Sequence, residues 1–596
     1  MPTAIGLRAG TRTGGAISPC HRPAVASALT AAVYLVASLA VHRRVLGDLG
    51  GSTTGSTSAD AHLFAWWLNW FPWAAGHGHE LLFTAHQNYP GGVNAMWNTS
   101  VPLLAFLLAP VTFTAGPVVS YNIGMILGPV VSGLALVLAL RPYVARWLPR
   151  SIAGLLYAFS PFVVAHGSVG HLNLVWAVLP PVLLWAVHTL VVVPTAHPAR
   201  AGALLGVAFA VQTGIYSQTV ALGAVALVVV AVCLAVRRPQ LAVERLPGVA
   251  RAVAACLATY AALCAYPLYQ LLAGPNRPRV QIRDPAVTGA DAANLLVPTH
   301  LAALRGGTGP LADQLRSHAG EQGGYLGVAL LVVVLVAVVS VRRPLVRMVG
   351  AIGVVLLVLS FGVGLVVLDH DTGIPLPWHL VERVPLLSEI EPVRFQVFVA
   401  LCVALLVAVW LDHLAATPPG PRRTAAVAAT LLAAVTWLPS DSQVAVPAPV
   451  PTFFTRSAQQ QLAADDVAET VPTITGTWMG GAEPLRWQAA SGMAYRTIGG
   501  YFIGSDPRHD LLLEAPTTLY QRVATEITAG RTTSMAGAGS AARQLRAAGV
   551  TVVLVVDRPG VGAPLLEWTR RVTGSPGRRV DDVWLFRMAP VAAGPR

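Results

Sequence analysis

Lysine is absent from this chain, and charge of any kind is scarce. All 40 basic residues are arginines, and only 11% of the 596 residues are charged, where a soluble protein carries about 25%. With 54% hydrophobic residues, that scarcity excludes a soluble fold for most of the chain. Cysteine is also sparse. Cys20 lies near the N-terminus, and Cys233, Cys256, Cys264 and Cys402 lie inside apolar runs. None falls in an expected external loop, which excludes a disulfide framework and a thiolate zinc site. No phosphate-binding glycine loop, no dinucleotide fingerprint and no repeat relating two halves is present, and the last absence weighs against a secondary transporter. The net charge of +13 orients a membrane protein and calls for no nucleic acid.

What is present is a series of apolar runs long enough to cross a bilayer, which takes about 17–25 residues. They cover 24–42, 119–140, 151–166, 173–193, 202–217, 219–236, 251–272, 324–341, 348–368, 395–412 and 425–438. The expectation is an α-helical polytopic membrane protein with about 11 transmembrane helices. Arginines cluster at Arg141/Arg146/Arg150, Arg200, Arg237/Arg238/Arg245/Arg251, Arg342/Arg343/Arg347 and Arg422/Arg423. A cytoplasmic N-terminus places all of these inside the cell; Arg43 and Arg44, just outside the first span, are the exception. Arg8, Arg12 and Arg22 precede the first run without a nearby small-residue cleavage site, so a retained helix is expected in place of a signal peptide. Val101–Gly116 is read as a juxtamembrane or re-entrant segment, because a full crossing there would move the Arg141–Arg150 cluster outside. External loops then cover 45–118, 273–323 and 369–394. From Pro439 the composition changes. The Pro-rich stretch Val446–Pro451 reads as a linker, and a helix near Ala541–Ala548 followed by the apolar run Val550–Val556 predicts a C-terminal extracytoplasmic α/β domain. The division is a transmembrane domain, 1–438, and an α/β domain, 439–596.

Asp60 stands in a loop, Val45 to Ser100, that contains no basic residue except histidine. A carboxylate near the hydrocarbon edge is costly and marks a functional position. Within hydrogen-bond reach of a hydroxyl it serves as a general base, and Asp also caps helices of the kind expected from Ala61 onward. Trp66, Trp67, Trp70, Phe71 and Trp73 follow at helical spacing, as interfacial anchors or as a wall on which sugars stack. His62 is two residues from Asp60, while His77, His79, Glu80 and His86 fit no metal-ligand spacing. His166 and His171 flank a short external turn on the Asp60 side. Loop 273–323 carries Arg277, Arg279, Arg283, Arg305 and Arg316 against the positive-inside trend, interspersed with Asp284, Asp291, Asp313 and Glu321. Arginine grips phosphate bidentately and stays charged in a partly apolar site. Arg394 opens a late span after Glu389 and Glu391, at the membrane edge.

A large external first loop, an acid just after the first span and an outer-surface apolar element before the second resemble the GT-C superfamily of polytopic membrane glycosyltransferases. The resemblance rests on Asp60 with Phe64, Trp66, Trp67 and Trp70, on Asn88–Asn94, on Val101–Pro110 and on Tyr157–Pro161. It extends over about 45–440 in layout, and Asp60 carries most of its specificity; a basic residue is usual near Glu391, where this chain departs. The resemblance implies transfer of a hexosyl or pentosyl unit from a polyprenyl-phosphate sugar to a cell-envelope glycan or lipid acceptor, on the extracytoplasmic face of the cell membrane. It implies Asp60 as general base with inversion at the sugar carbon, and a divalent metal, Mg or Mn, in some members. Donor phosphate falls to Arg394, Arg277, Arg279 and Arg283. Substrate contacts fall to His62, His166, His171, Asp291, Glu321, Trp66 and Trp70. The alternative is a non-catalytic carrier or scaffold for lipid-linked envelope intermediates; a carrier calls for polar residues along its spans, where Gln212 and Gln218 are the main ones.

Overall fold

The computed structural model describes residues 23–55, 59–384, 386–440, 443–474, 481–531 and 535–590. Arg8, Arg12, Cys20 and Arg22 lie outside the described residues. Among the described residues seven helices are long and apolar enough to cross a membrane: Ala24–Val41, Pro117–Ala139, Trp147–Ser168, Leu172–Val192, Ser217–Arg237, Pro239–Leu263 and Pro392–Ala416. Val328–Ser340 and Pro344–Ser360 are apolar but shorter. The last long helix is the axle of the bundle, buried along nearly all its length from Gln396 to Asp412, whereas only Ala252 and Cys256 are buried in Pro239–Leu263.

Helix ends depart from the apolar runs where backbone chemistry intervenes. The run 173–193 is broken: Leu172–Val175 stops, Leu179–Val187 restarts with proline in its first turn, and His188–Val192 is a π-helix. The run 348–368 is helical only to Ser360. Gly362, at φ 81°, then turns the chain into an antiparallel hairpin of Gly364–Val367 and His370–Pro375. The run 251–272 instead begins at Pro239 and breaks at Cys264 before Ala265–Ala273. Pro102–Ala115 is a helix of 14 residues, about 21 Å long and so shorter than the roughly 30 Å hydrocarbon core. It packs against both Asp60–His77 and Pro117–Ala139.

The arginine clusters sit together at one set of helix ends. Arg146 pairs with Asp412 at 3.0 Å, at the far end of the central helix from Arg394. Arg237 likewise closes the helix that Tyr216 and Gln218 open.

Beyond the last apolar helix, Ala445–Pro447 returns to pair antiparallel with Ser52–Thr54. A five-stranded mixed sheet follows, in the order Arg578–Val580, Val583–Arg587, Val552–Val556, Val467–Val471, Arg496–Thr497. Val552–Val556 is apolar at every position and buried on both faces. One face packs on Tyr520, Leu545, Leu565 and Trp568, the other on Phe453, Phe454, Trp487 and Tyr495. Glu469, 1% exposed, sits in this sheet, where Gln521 Nε2 donates to it at 2.9 Å and the Thr473 hydroxyl at 3.2 Å. Burial outweighs both bonds and pushes its carboxyl up from 4.5 to about 8. A carboxyl whose folded value is raised gives its full stabilising contribution below the unfolded value, and that contribution is lost as pH rises through the folded one. Glu469→Gln is therefore expected to match wild type in thermal unfolding at pH 4 and to melt higher than wild type at pH 9.

Candidate active site

Residues from distant parts of the chain converge on Asp60. Asp60 is the first residue of Asp60–His77, and the helix start carries no side-chain cap. Capping, one of the two roles expected of it, is thus not its part. Its Oδ1 accepts from the Tyr501 hydroxyl at 2.9 Å, and its Oδ2 lies 3.0 Å from His171 Nε2. Burial works to raise its pKa, but the His171 bond and charge, the Tyr501 bond and the Arg283 charge prevail and hold it below the usual value. The helix N-terminus also favours the anion. The Asp60 side chain is 15% exposed, open enough for a hydroxyl to approach.

The surrounding backbone is fixed from Pro117–Ala139. Asn122 accepts from Thr54 N–H at 2.9 Å and donates to Leu49 and Ser52 carbonyls, while the Tyr121 hydroxyl reaches the carbonyls of Thr54 and Gly170. Gly55, at φ 109°, meets Gly170 so closely that a Cβ on it would lie 2.9 Å from Gly170 Cα. That contact sets the spacing between the loop leading to Asp60 and the turn bearing His171.

From Asp60 a line of polar groups runs inward. His171 Nδ1 is 2.9 Å from His166 Nδ1, and His166 Nε2 is 3.9 Å from Glu321 Oε2. Glu321 Oε1 accepts from Arg394 Nη2 at 2.9 Å. Arg394 also pairs with Glu391, and its Nη1 donates to Tyr216 Oη at 2.5 Å and Gln218 Oε1 at 2.6 Å. Arg283 Nε stands 2.9 Å from the other oxygen of Glu391. Burial raises and Arg394 lowers the pKa of Glu321, with a net shift downward, so it is ionised. Glu391 goes the other way: burial and the Glu321 charge raise it.

Two imidazoles and one carboxylate form a donor set suited to a divalent cation. Ligand atoms of His166, His171 and Glu321 all lie within 4.8 Å of one another, and Glu321 Oε2 is buried without a hydrogen-bond partner. These three residues fit a metal ion.

The other residues expected here lie elsewhere. Trp66 and Trp70 are 0% and 1% exposed and stack on each other at 5.4 Å. Their indole N–H groups donate to Gln488 Oε1 and Leu81 O, so neither ring offers a face to a sugar, nor to a membrane interface. They seal the seam with the C-terminal layer. His62 belongs to the same seam. It accepts from Arg486 Nη1 at 2.9 Å, and burial with the Arg486 charge pushes its pKa down to about 3. Arg277 donates to the Leu272 carbonyl, and Arg279 is held by Asp510 at 2.7 Å and by the Asp506 carbonyl. Both are engaged away from the Arg394 cluster. Asp291 accepts from four backbone N–H groups, of Ala293, Arg316, Leu368 and Asp369, and so fastens two loops together. Of the expected residues, the structure gathers Asp60, His166, His171, Arg283, Glu321 and Arg394. Sequence reasoning placed neither Tyr501 beside Asp60 nor Tyr216 beside Arg394. Gln218 did carry a signal, as one of the few polar residues beside a span.

The fold is that of the GT-C superfamily of membrane glycosyltransferases. The cryo-EM structure of the arabinofuranosyltransferase AftD from Mycobacteria superposes with a TM-score of 0.55 at 16% identity, over 96% of this chain and 40% of that one. The chain thus spans about two fifths of the length of AftD. The oligosaccharyltransferase AglB from Archaeoglobus fulgidus, in complex with an inhibitory peptide and a dolichol-phosphate, aligns over 92% of this chain and 71% of that one, at 12% identity and a TM-score of 0.45. No curated protein matches the chain in sequence. Residues 27–394 match the family model described as a domain of unknown function, DUF6311, and the chain belongs to that family.

Proposed function

We propose that this protein is a membrane glycosyltransferase that moves a sugar from a polyprenyl-phosphate donor to a cell-envelope glycan or lipid on the extracytoplasmic face, with Asp60 as general base. The observation that carries this reading is the ionised Asp60 carboxylate, oriented by Tyr501 and His171 beside a buried guanidinium cluster. The arginine clusters at the opposite helix ends support placing the site outside the cell.

In the reaction, the acceptor oxygen bonds to the anomeric carbon and Asp60 takes the hydroxyl proton. The bond from that carbon to the phosphate oxygen breaks, and polyprenyl phosphate leaves with the electron pair. One displacement without a covalent intermediate inverts the carbon. Arg283, with a side chain 37% exposed, is better placed to meet the donor phosphate than Arg394, which is 6% exposed and already holds Glu321 and Glu391. Two guanidiniums face Glu321 and Glu391, and a guanidinium matches the geometry of a phosphate. A divalent cation bound by His166, His171 and Glu321 would supply further positive charge for the leaving group.

Tyr501 couples the C-terminal layer to catalysis. Removing its hydroxyl takes away a bond that favours the carboxylate, so Asp60 becomes a weaker acid. Tyr501→Phe is expected to slow transfer and move the acid limb of the pH–rate profile to higher pH; an unmoved limb contradicts this coupling. The function itself is tested by following labelled sugar from a panel of polyprenyl-phosphate donors in membranes with and without the chain. Transfer that depends on the chain is the expected result, and its absence across the panel favours a carrier or scaffold.

A further inference from the structure

A cavity of about 860 Å³ opens between the helices Leu179–Val187, Ser217–Arg237, Pro344–Ser360 and Gln396–Ala416. Its interior is apolar, lined by Leu183, Ala226, Ile352, Phe398, Cys402 and Leu405 among others. Polar groups gather toward one end: Arg237, Arg238, Gln240, Glu244 and Tyr143. Glu244 pairs with Arg245 at 2.7 Å, so the two guanidiniums at the mouth remain uncompensated by it. Tyr143 is 9% exposed, and its hydroxyl is buried without a hydrogen-bond partner.

Position separates the mouth of this cavity from the Asp60 site. Tyr216 and Gln218, which hold Arg394, stand at one end of Ser217–Arg237, and the cavity mouth stands at the other. Some 20 residues of helix put them about 30 Å apart, the thickness of the hydrocarbon core. From Arg237 the lining continues inward past Ala226 to Phe398, four residues from Arg394, so the slot is about 20 Å deep, long enough for an acyl chain. An apolar slot of that depth, with cationic groups at its mouth, has the chemistry of a lipid's tail and headgroup.

We propose that this cavity binds an anionic glycerophospholipid of the leaflet opposite the Asp60 site, its phosphate at Arg237 and Arg238 and an acyl chain between the helices. Charge decides the headgroup class, since a zwitterionic lipid brings its own ammonium to a site that already holds two guanidiniums. The Tyr143 hydroxyl lies within the same slot, where a lipid ester oxygen gives it an acceptor.

The test is photo-cross-linking of the full chain in phosphatidylcholine nanodiscs that contain a small fraction of phosphatidylglycerol with a diazirine in its acyl chain. Adducts are mapped by peptide mass spectrometry. They are expected to concentrate on the segments around Leu183 and Phe398–Leu405 and to be competed by unlabelled phosphatidylglycerol but not by added phosphatidylcholine. The double variant Arg237→Gln/Arg238→Gln is expected to lower labelling there about tenfold or more, with adducts at the exposed face around Val332 and Leu335 unchanged. Cys402→Phe narrows the slot with both arginines intact and is expected to lower labelling there as well, which covers the case of a double variant that fails to fold. Labelling no denser in the cavity than on the exposed face overturns the proposal. So does equal competition by phosphatidylcholine, and so does labelling undiminished by Cys402→Phe.

Discussion

Asp60→Asn is expected to lower sugar transfer by about 10²–10⁴-fold, the usual contribution of a positioned general base, while the protein still folds and still takes up donor. Asparagine keeps an oxygen for the Tyr501 hydroxyl, and only one polar contact, to His171, changes character. The loss should therefore fall on the chemical step, with kcat reduced and KM for the donor little changed. Asp60→Glu should recover part of the rate, since it restores a base at a shifted position. Thermal unfolding of the three proteins, measured beside the rates, separates this role from a structural one. A variant that melts like wild type and transfers at the wild-type rate removes Asp60 from the mechanism.

Arg394→Met is expected to have the largest effect on stability. Arg394 is 5% exposed and joins Glu321, Glu391, Tyr216 and Gln218, so its loss leaves buried Glu391 to Arg283 and buried Glu321 to the His166 imidazole. Removing one partner of a buried ion pair costs about 3–5 kcal/mol. The charge left behind, more than the bond lost, makes it expensive. Arg394→Met with Glu321→Gln should therefore be more stable than Arg394→Met alone, as read from thermal unfolding in detergent. Arg394→Lys keeps the charge but cannot reach four partners at once, and should fall between wild type and methionine. Equal stability of the single and double variants contradicts the charge argument.

Much of the helical layout is legible in the sequence, because a membrane-crossing helix needs a long apolar run and loops concentrate arginine. Helix ends are less so. Gly364-Leu-Val-Val367 is as apolar as the helix before it, and hydrophobicity alone does not separate a hairpin strand from the last turns of a span. The break between Val175 and Leu179 depends on how Pro180 and Pro181 start a new helix. In the site, Asp60 stands out because an acid at the edge of the hydrocarbon is out of place. The aromatic residues beside it read as a possible sugar platform, yet Trp66 and Trp70 are absorbed by packing against the Glu483–Ala490 helix. That surface is supplied from the other end of the chain. Tyr501 is hidden for the same reason. A tyrosine after two glycines in a short strand is an ordinary core residue until its partner, 441 positions away, is known. Loop arginines pose a different problem: Arg277, Arg279 and Arg283 are alike in composition, and only the fold sends Arg283 to Glu391 and Arg279 to Asp510.

The most direct test uses the purified full chain in proteoliposomes, with wild type and Asp60→Asn compared at matched folded amounts. Each receives a panel of polyprenyl-phosphate sugars and an envelope acceptor extract, and both the glycosylated acceptor and the released polyprenyl phosphate are quantified. The account predicts that wild type forms the two products in equal amounts from at least one donor, and that Asp60→Asn forms neither above background. Equal product formation by both proteins, or none by wild type across the panel, would contradict it.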